Sequence, residues 1–248
     1  MVYRLAGRIA AGLQHLLLPP RCIGCGGPAT GLCKIDLPKL DLCPACYGQL
    51  PINRHACQHC GLPLSGTAFS LICGGCLRRP PKYQSSLCAY GYAYPIAQLI
   101  HRFKYGGSLA HARVLGTLLA SYVRDRHTGN WPECVIPVPL HSVRYRARGF
   151  NQVIELGRFV TRELAIPMRT DLVERTRYTP EQAGLSRRER RKNLRRVFRT
   201  TTKSLPVHVA LLDDVITTGS TVNELTRTLR GCGVAHIEVW GLARATTT

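Results

Sequence analysis

The stretch Val209-Ala210-Leu211-Leu212-Asp213-Asp214-Val215-Ile216-Thr217-Thr218-Gly219-Ser220-Thr221 decides the reading of this chain. Its apolar run predicts a buried strand over residues 207–212. Two carboxylates stand at the carboxyl end of that strand, and small residues then open a helix predicted from about residue 221 to residue 230. In α/β sheets this is the place where ligands bind. Backbone amides at a helix start, helped by the dipole and by the hydroxyls of Thr217, Thr218, Ser220 and Thr221, suit a phosphate monoester. Gly219 lets the main chain approach it closely. Asp213 and Asp214 would repel that phosphate. They make chemical sense as acceptors for vicinal sugar hydroxyls, directly or with Mg²⁺, on another part of the same ligand. A merely capped helix would tolerate the hydroxyls but gives no reason for two adjacent carboxylates at a buried edge.

Working outward, strands are predicted over residues 87–94, 134–138 and 237–242, with a short one near Leu172. Helices are predicted over residues 95–103, 109–123 and 152–164, and a basic loop after residue 138. Strands alternating with helices imply a parallel α/β sheet covered on both faces. The length, 248 residues, allows one or two domains. A composition 45% apolar and 19% charged excludes a wholly disordered chain. The 23 glycines and 16 prolines are too few and scattered for collagen-like or low-complexity sequence. Against 34 Lys and Arg stand 14 Asp and Glu, a formal charge of +20. Such a field attracts phosphate in nucleic acid, nucleotide or anionic lipid, and does not choose among them.

Eight of the twelve cysteines form Cys-x-x-Cys pairs: Cys22/Cys25, Cys43/Cys46, Cys57/Cys60 and Cys73/Cys76. That regularity suits metal knuckles, and two structural zinc ions are expected. Two four-thiolate sites would lower the effective charge to about +16. Seventeen residues separate the first two pairs and twelve the last two, so pairing in chain order is the simplest scheme. A crossed scheme, first with third and second with fourth, stays open. Cys33 is taken as a spare thiol, His55 and His59 as surface residues, and Cys88, Cys134 and Cys232 as buried small apolar residues. Closed four-ligand sites leave no open position for chemistry, so zinc is expected to be structural.

Leu5, Ile9, Leu13, Leu16 and Leu17 predict an amphipathic helix over residues 1–18, stopped by Pro19 and Pro20. Gln14 and His15 interrupt the apolar stretch, and no cleavage pattern precedes Cys22, so a cytoplasmic location is expected. No apolar run approaches the ~18 residues of a membrane span. Residues 21–81 are too poor in periodic apolar residues for a conventional core, and Arg78-Arg79-Pro80-Pro81 reads as a linker. The expected domains are residues 1–84, a helix with a cysteine-rich double zinc ribbon, and residues 85–248, the α/β domain.

The hydrophobic, acidic-acidic, Thr-Thr-Gly pattern at Leu211 to Gly219 resembles the phosphoribosyl pyrophosphate (PRPP) loop of type I phosphoribosyltransferases. Pro137-Val138-Pro139-Leu140-His141, followed by Arg144 and by Arg148-Gly149-Phe150-Asn151-Gln152, resembles the second loop of the ComF family of competence proteins. So do Gln182, Arg190 and Asn193 ahead of Phe198. With the cysteine pairs, the resemblance covers nearly the whole chain. It implies a type I phosphoribosyltransferase sheet preceded by a small zinc-ribbon domain.

The resemblance further implies PRPP binding with Mg²⁺ through Asp213, Asp214, Thr217, Thr218, Gly219, Ser220 and Thr221. His141, Arg144, Arg148 and Asn151 are expected to grip pyrophosphate, with Gln152 orienting the loop or capping the next helix. From Arg175 to Arg199 lie ten Lys and Arg and two acids. One reading is a mobile lid that closes over the reaction centre, which gives Arg187, Arg188 or Arg190 a catalytic role beside Asp214. The other is a nucleic-acid surface, on which Tyr145, Phe150 and Tyr178 could stack bases. The implied role is in DNA uptake, with single-stranded DNA and uptake-machinery proteins as partners. The alternative is an active transferase that moves phosphoribose to a small acceptor. Glutamine amidotransferase chemistry is not expected, because relatives using glutamine expose a processed amino-terminal cysteine and position 2 here is Val2.

Overall fold

The computed structural model describes residues 20–29, 40–64, 71–178, 194 and 196–246. The predicted helix at residues 1–18, Cys33, Gln182, Arg187, Arg188, Arg190 and Asn193 lie outside the described residues. The chain divides into two compact units, Met1–Leu50 and Pro51–Thr248.

In the first unit the cysteine turn is closed by main-chain bonds from Cys22 N–H to Gly27 O and from Gly26 N–H to Cys22 O, both 2.8 Å. Ile23 N–H reaches Asp41 O at 2.8 Å, bringing the second pair alongside the first. A single turn of helix, α1 (Pro44–Gly48), follows Cys43, which caps it through its sulfur. Leu42 and Leu50 are its buried aliphatic side chains among the described residues.

The second unit opens with another cysteine turn and a short helix, α2 (Gly74–Arg78), and continues into β1 (Ser85–Gly91). There follow α3 (Ile96–Gly106), α4 (Leu109–Arg126), β2 (Cys134–Pro137), α5 (Ser142–Arg148) and α6 (Gln152–Leu164). A hairpin of β3 (Val173–Arg175) and β4 (Phe198–Thr200) precedes β5 (His208–Ile216), α7 (Ser220–Arg230) and β6 (His236–Arg244). The main sheet has four strands in the order β1-β6-β5-β2, every pairing parallel. The hairpin is a separate antiparallel pair.

Successive residues of a strand face opposite sides. Val209, Leu211, Ile237 and Val239 join a core with Val222, Leu225 and Leu229 of α7 and with Val173 and Phe198 of the hairpin. Ala210, Leu212, Trp240 and Leu242, also buried, occupy the alternate positions. On that side α4 and α6 come together at Gly116, where an added Cβ would lie 2.7 Å from Phe159 Cβ and 2.8 Å from Leu156 O. At the amino end of the sheet, Glu238 is held by Trp240 Nε1 at 2.8 Å, with His208 and His127 nitrogens at 3.0 and 3.1 Å.

Three departures from the sequence reading matter. Strand β5 runs through Asp213 and Asp214, because Val215 and Ile216 still pair with Ala243 and Arg244. The stretch read as a basic loop contains α5, capped by His141. Cys232, read as buried, is exposed on the turn after α7, 3.4 Å from Thr200 Oγ1. No helix among the described residues is long and apolar enough to cross a membrane.

Candidate functional site

Three loops meet the carboxyl end of the sheet: Tyr92 to Pro95 after β1, Val138 to His141 after β2, and Thr217 to Gly219 after β5. Because Asp213 and Asp214 are consecutive in a strand, they project to opposite sides. Asp214, 5% exposed, points toward the helices, where Lys104 Nζ of α3 lies 3.1 Å and Gln152 Nε2 of α6 3.2 Å from its Oδ2. Its other oxygen accepts from Val215 N–H at 2.7 Å. Asp213 Oδ1 accepts from Asp214 N–H at 2.9 Å. Burial, reinforced by the Asp214 carboxylate, pushes the Asp213 carboxyl up to about 8, against the pull of Lys104.

Gly219 adopts φ 72 as the N-cap of α7, a conformation costly for other residues. Its carbonyl accepts from Asn223 N–H and Nδ2, both at 2.9 Å, while Lys82 N–H donates to Asn223 Oδ1 at 2.8 Å. Thr218 and Ser220 hydroxyls are 2.8 Å apart. The carbonyls of Ile216 and Thr217 are both taken by Arg244. These bonds turn the loop's carbonyls inward, which is the orientation that leaves a helix start able to present N–H groups to an anion.

On the loop after β2, His141 Nδ1 accepts from Val143 N–H at 3.3 Å as the cap of α5, and its ring lies 5.5 Å from that of Tyr178. Arg144 and Arg148 lie on α5, with the Arg148 guanidinium 5.7 Å from the Tyr105 ring centroid. Asn151, buried, caps α6 by accepting from Val153 N–H at 3.0 Å. Thus Asn151 is the cap, and Gln152 instead holds Asp214. Phe150 packs 6.1 Å from Phe103, whereas Tyr145 and Tyr178 are exposed. A cavity of about 410 Å³ lies between this loop and the hairpin, lined by Pro137, Leu140, Tyr145, Asn151, Thr170 and Glu174 among others.

Lys104 and Arg244 were not picked out from sequence. Lys104 is a basic residue in the last turn of an amphipathic helix, an ordinary place for a solvated charge. The signal available was the glycine pair Gly106-Gly107 immediately after it, which turns the chain beside the site.

The cysteines settle into quartets in chain order, Cys22/Cys25/Cys43/Cys46 and Cys57/Cys60/Cys73/Cys76, each with all four sulfurs within 4.8 Å. Cys25 and Cys43 sulfurs are 3.9 Å apart, and those of Cys60 and Cys73 3.7 Å. A tetrahedron with Zn–S of about 2.3 Å requires about 3.8 Å between sulfurs, so both quartets fit zinc. Amides lower one thiol in each quartet, whereas burial raises Cys46 in the first and Cys60 and Cys76 in the second. Burial alone would raise the Cys22 thiol, but N–H donors from Cys43, Cys25 and Gly24 outweigh it and hold it at about 6. Cys57 is held at about 7 in the same way by Cys73, Cys60 and His59. His55 and His59 belong to neither quartet.

The double zinc ribbon domain family matches residues 13–77. Among solved structures, the trace shares features with adenine phosphoribosyltransferase from Leishmania tarentolae, at 17% identity over 54% of this chain and 56% of that one, with a TM-score of 0.32. Competence protein F of Haemophilus influenzae is 39% identical over 231 residues, 91% of this chain and 97% of its own. DNA utilization protein YhgH of Escherichia coli K12 is 37% identical over 221 residues, 86% of this chain and 95% of its own. Identity at this level over nearly the full length of both chains, together with the double zinc ribbon match, places this chain in the ComF family of competence proteins.

Proposed function

We propose that this protein binds PRPP at the end of β5 and handles single-stranded DNA during DNA uptake. The observation that carries the first part is the Asp213-Asp214 pair set beside a helix start, with Lys104 already neutralising Asp214. Asp213, held close to its neutral form, accepts or donates hydrogen bonds with ribose hydroxyls, and the amides at the start of α7 take the 5-phosphate. His141 from the loop after β2, and Arg144 and Arg148 from α5, face the pyrophosphate. Magnesium, arriving with PRPP, screens the pyrophosphate charge. The two zinc ions hold the cysteine turns in shape and take no part in chemistry.

The DNA part is supported by the relatives, a competence protein and a DNA utilization protein by name, and by the rim of the site. Tyr94 and Tyr105 are each 67% exposed, and Tyr92, Tyr145 and Tyr178 are also exposed at the carboxyl end of the sheet. Exposed rings among arginines stack bases without sequence preference. Arg187 and Arg190 are assigned to the closing segment on the resemblance alone. A thermal scan tests the core of this reading. PRPP with Mg²⁺ raises the melting temperature in proportion to the logarithm of its concentration, and no rise at millimolar PRPP contradicts it.

The cavity beside Asn151 favours a second reading, phosphoribosyl transfer to a small acceptor held there. Pyrophosphate release that depends on an added acceptor and disappears in Asp214→Asn supports it. Unchanged pyrophosphate across a broad panel of bases and amines leaves a binding module.

A further inference from the structure

Arg244, the last residue of β6, is 7% exposed. Among the described residues every hydrogen-bond acceptor of its guanidinium is a main-chain carbonyl. Nε donates to Cys60 O at 2.9 Å, while Nη1 donates to Ile216 O at 3.0 Å, to Ala245 O at 2.7 Å and to Thr217 O. A buried cation whose hydrogen bonds all go to main-chain carbonyls is an expensive way to finish a strand. What it achieves is a joint. One end of the fork holds the second cysteine turn at a zinc-ligand residue, and the other holds the two carbonyls that shape the loop between β5 and α7. Arginine suits this because its fork is planar and pre-organised.

The cysteine turn is fixed to the sheet by further bonds. Ser86 N–H donates to Gln58 O at 3.0 Å. Asn53 Nδ2 donates to Gly61 O at 2.8 Å and Cys88 O at 3.1 Å. An added Cβ on Gly61 would lie 2.4 Å from Cys88 Sγ, so the turn and the strand are already in closest contact. On its far side the segment leaving the quartet reaches the loop again, through Lys82 N–H and Asn223. The second quartet is therefore built into the wall behind the sugar-phosphate loop.

We propose that Arg244 is a positioning residue that couples zinc in the Cys57/Cys60/Cys73/Cys76 quartet to the shape of the PRPP loop. Loss of that zinc frees the Cys60 carbonyl, loosens Arg244 and releases the Thr217 carbonyl, leaving that of Ile216 to the Ala245 N–H at 3.0 Å. By linkage, a ligand that orders the loop retains the zinc. The inference rests on the PRPP reading for its ligand arm alone, because the coupling between zinc and loop is also readable without any ligand.

The test uses the full, zinc-loaded chain and Arg244→Met, which keeps the length of the side chain and removes the fork. Peptide hydrogen exchange is followed over residues 216–221 while a chelator withdraws zinc, and cysteine alkylation read by mass spectrometry reports which quartet has opened. In the wild type, opening of the second quartet speeds exchange of the loop by about tenfold or more, the size expected when buried hydrogen bonds to a charged group are lost. In Arg244→Met the loop exchanges fast from the outset and no longer responds to zinc. PRPP slows alkylation of Cys57 and Cys60 in the wild type and not in the variant. The proposal is overturned if the wild-type loop stays protected after the second quartet has been alkylated, or if Arg244→Met keeps the full zinc response. If zinc moves the loop but PRPP neither binds nor slows alkylation, the coupling stands and the ligand reading falls. If PRPP binds but zinc leaves the loop unmoved, the ligand reading stands and the coupling falls. Should chelation unfold the chain, the comparison of the two zinc-loaded proteins decides: equal loop exchange in both contradicts the proposal.

Discussion

The ammonium of Lys104 sits 3.1 Å from Asp214 Oδ2, joining the end of α3 to the end of the central strand. Both groups are largely shielded, with side chains 22% and 7% exposed. Removing one partner strands the other's charge. Lys104→Met is expected to lose on the order of 3 kcal/mol in urea unfolding. The double variant Lys104→Met/Asp214→Asn should lose at least about 1 kcal/mol less than the sum of the single variants. Additive losses would show that the two residues do not interact.

The raised Asp213 carboxyl makes the ligand-free protein sensitive to alkali in a predictable direction. Folded, the group titrates at about 8; unfolded, near 4. Between those values the folded chain holds the extra proton, so stability falls as pH rises from about 4 toward 8. Asp213→Asn removes this contribution. Its melting temperature should therefore gain on that of the wild type steadily from pH 5 to pH 8, and a constant difference across that range contradicts the assignment.

The quartets predict a metal count and a division of labour. Purified protein should contain two zinc ions per chain, and Cys73→Ser one, by inductively coupled plasma mass spectrometry. Two zinc ions retained in Cys73→Ser would contradict the ligand set.

How much of this was legible in the sequence follows from how local each signal is. The acidic strand and its helix were visible because the apolar run, the two carboxylates and the glycine are contiguous. The quartets were visible because zinc knuckles need fixed spacing, although the spacing alone left their pairing open. The joint made by Arg244 was hidden, since its acceptor Cys60 stands 184 residues away and nothing in the final strand points to it. Lys104 was hidden for the same reason: its partner is set by tertiary closure. Strand β4 was hidden by composition, because among the described residues of the arginine-rich tract Phe198 and the neighbouring Val197 are the buried ones. Texture placed the change of character near residue 85. The compact units divide at Leu50, because the second cysteine turn makes its bonds to the sheet through single main-chain atoms that composition does not reveal.

If the tyrosine rim receives nucleic acid, Tyr94→Ala and Tyr105→Ala should each weaken binding of labelled oligodeoxythymidine by roughly tenfold, as stacking of one base on an aromatic ring contributes about 1–3 kcal/mol. Anisotropy at low salt reads this directly. Affinity unchanged in the double variant would move any DNA contact elsewhere on the basic surface.

The most direct test of the central claim is calorimetric titration of PRPP with Mg²⁺ into zinc-loaded wild-type protein and into Asp214→Asn. The account predicts saturable heat with one site per chain in the wild type and its loss in the variant, whose circular dichroism is unchanged. Dilution heat alone from folded wild-type protein, or equal binding by both, would contradict it.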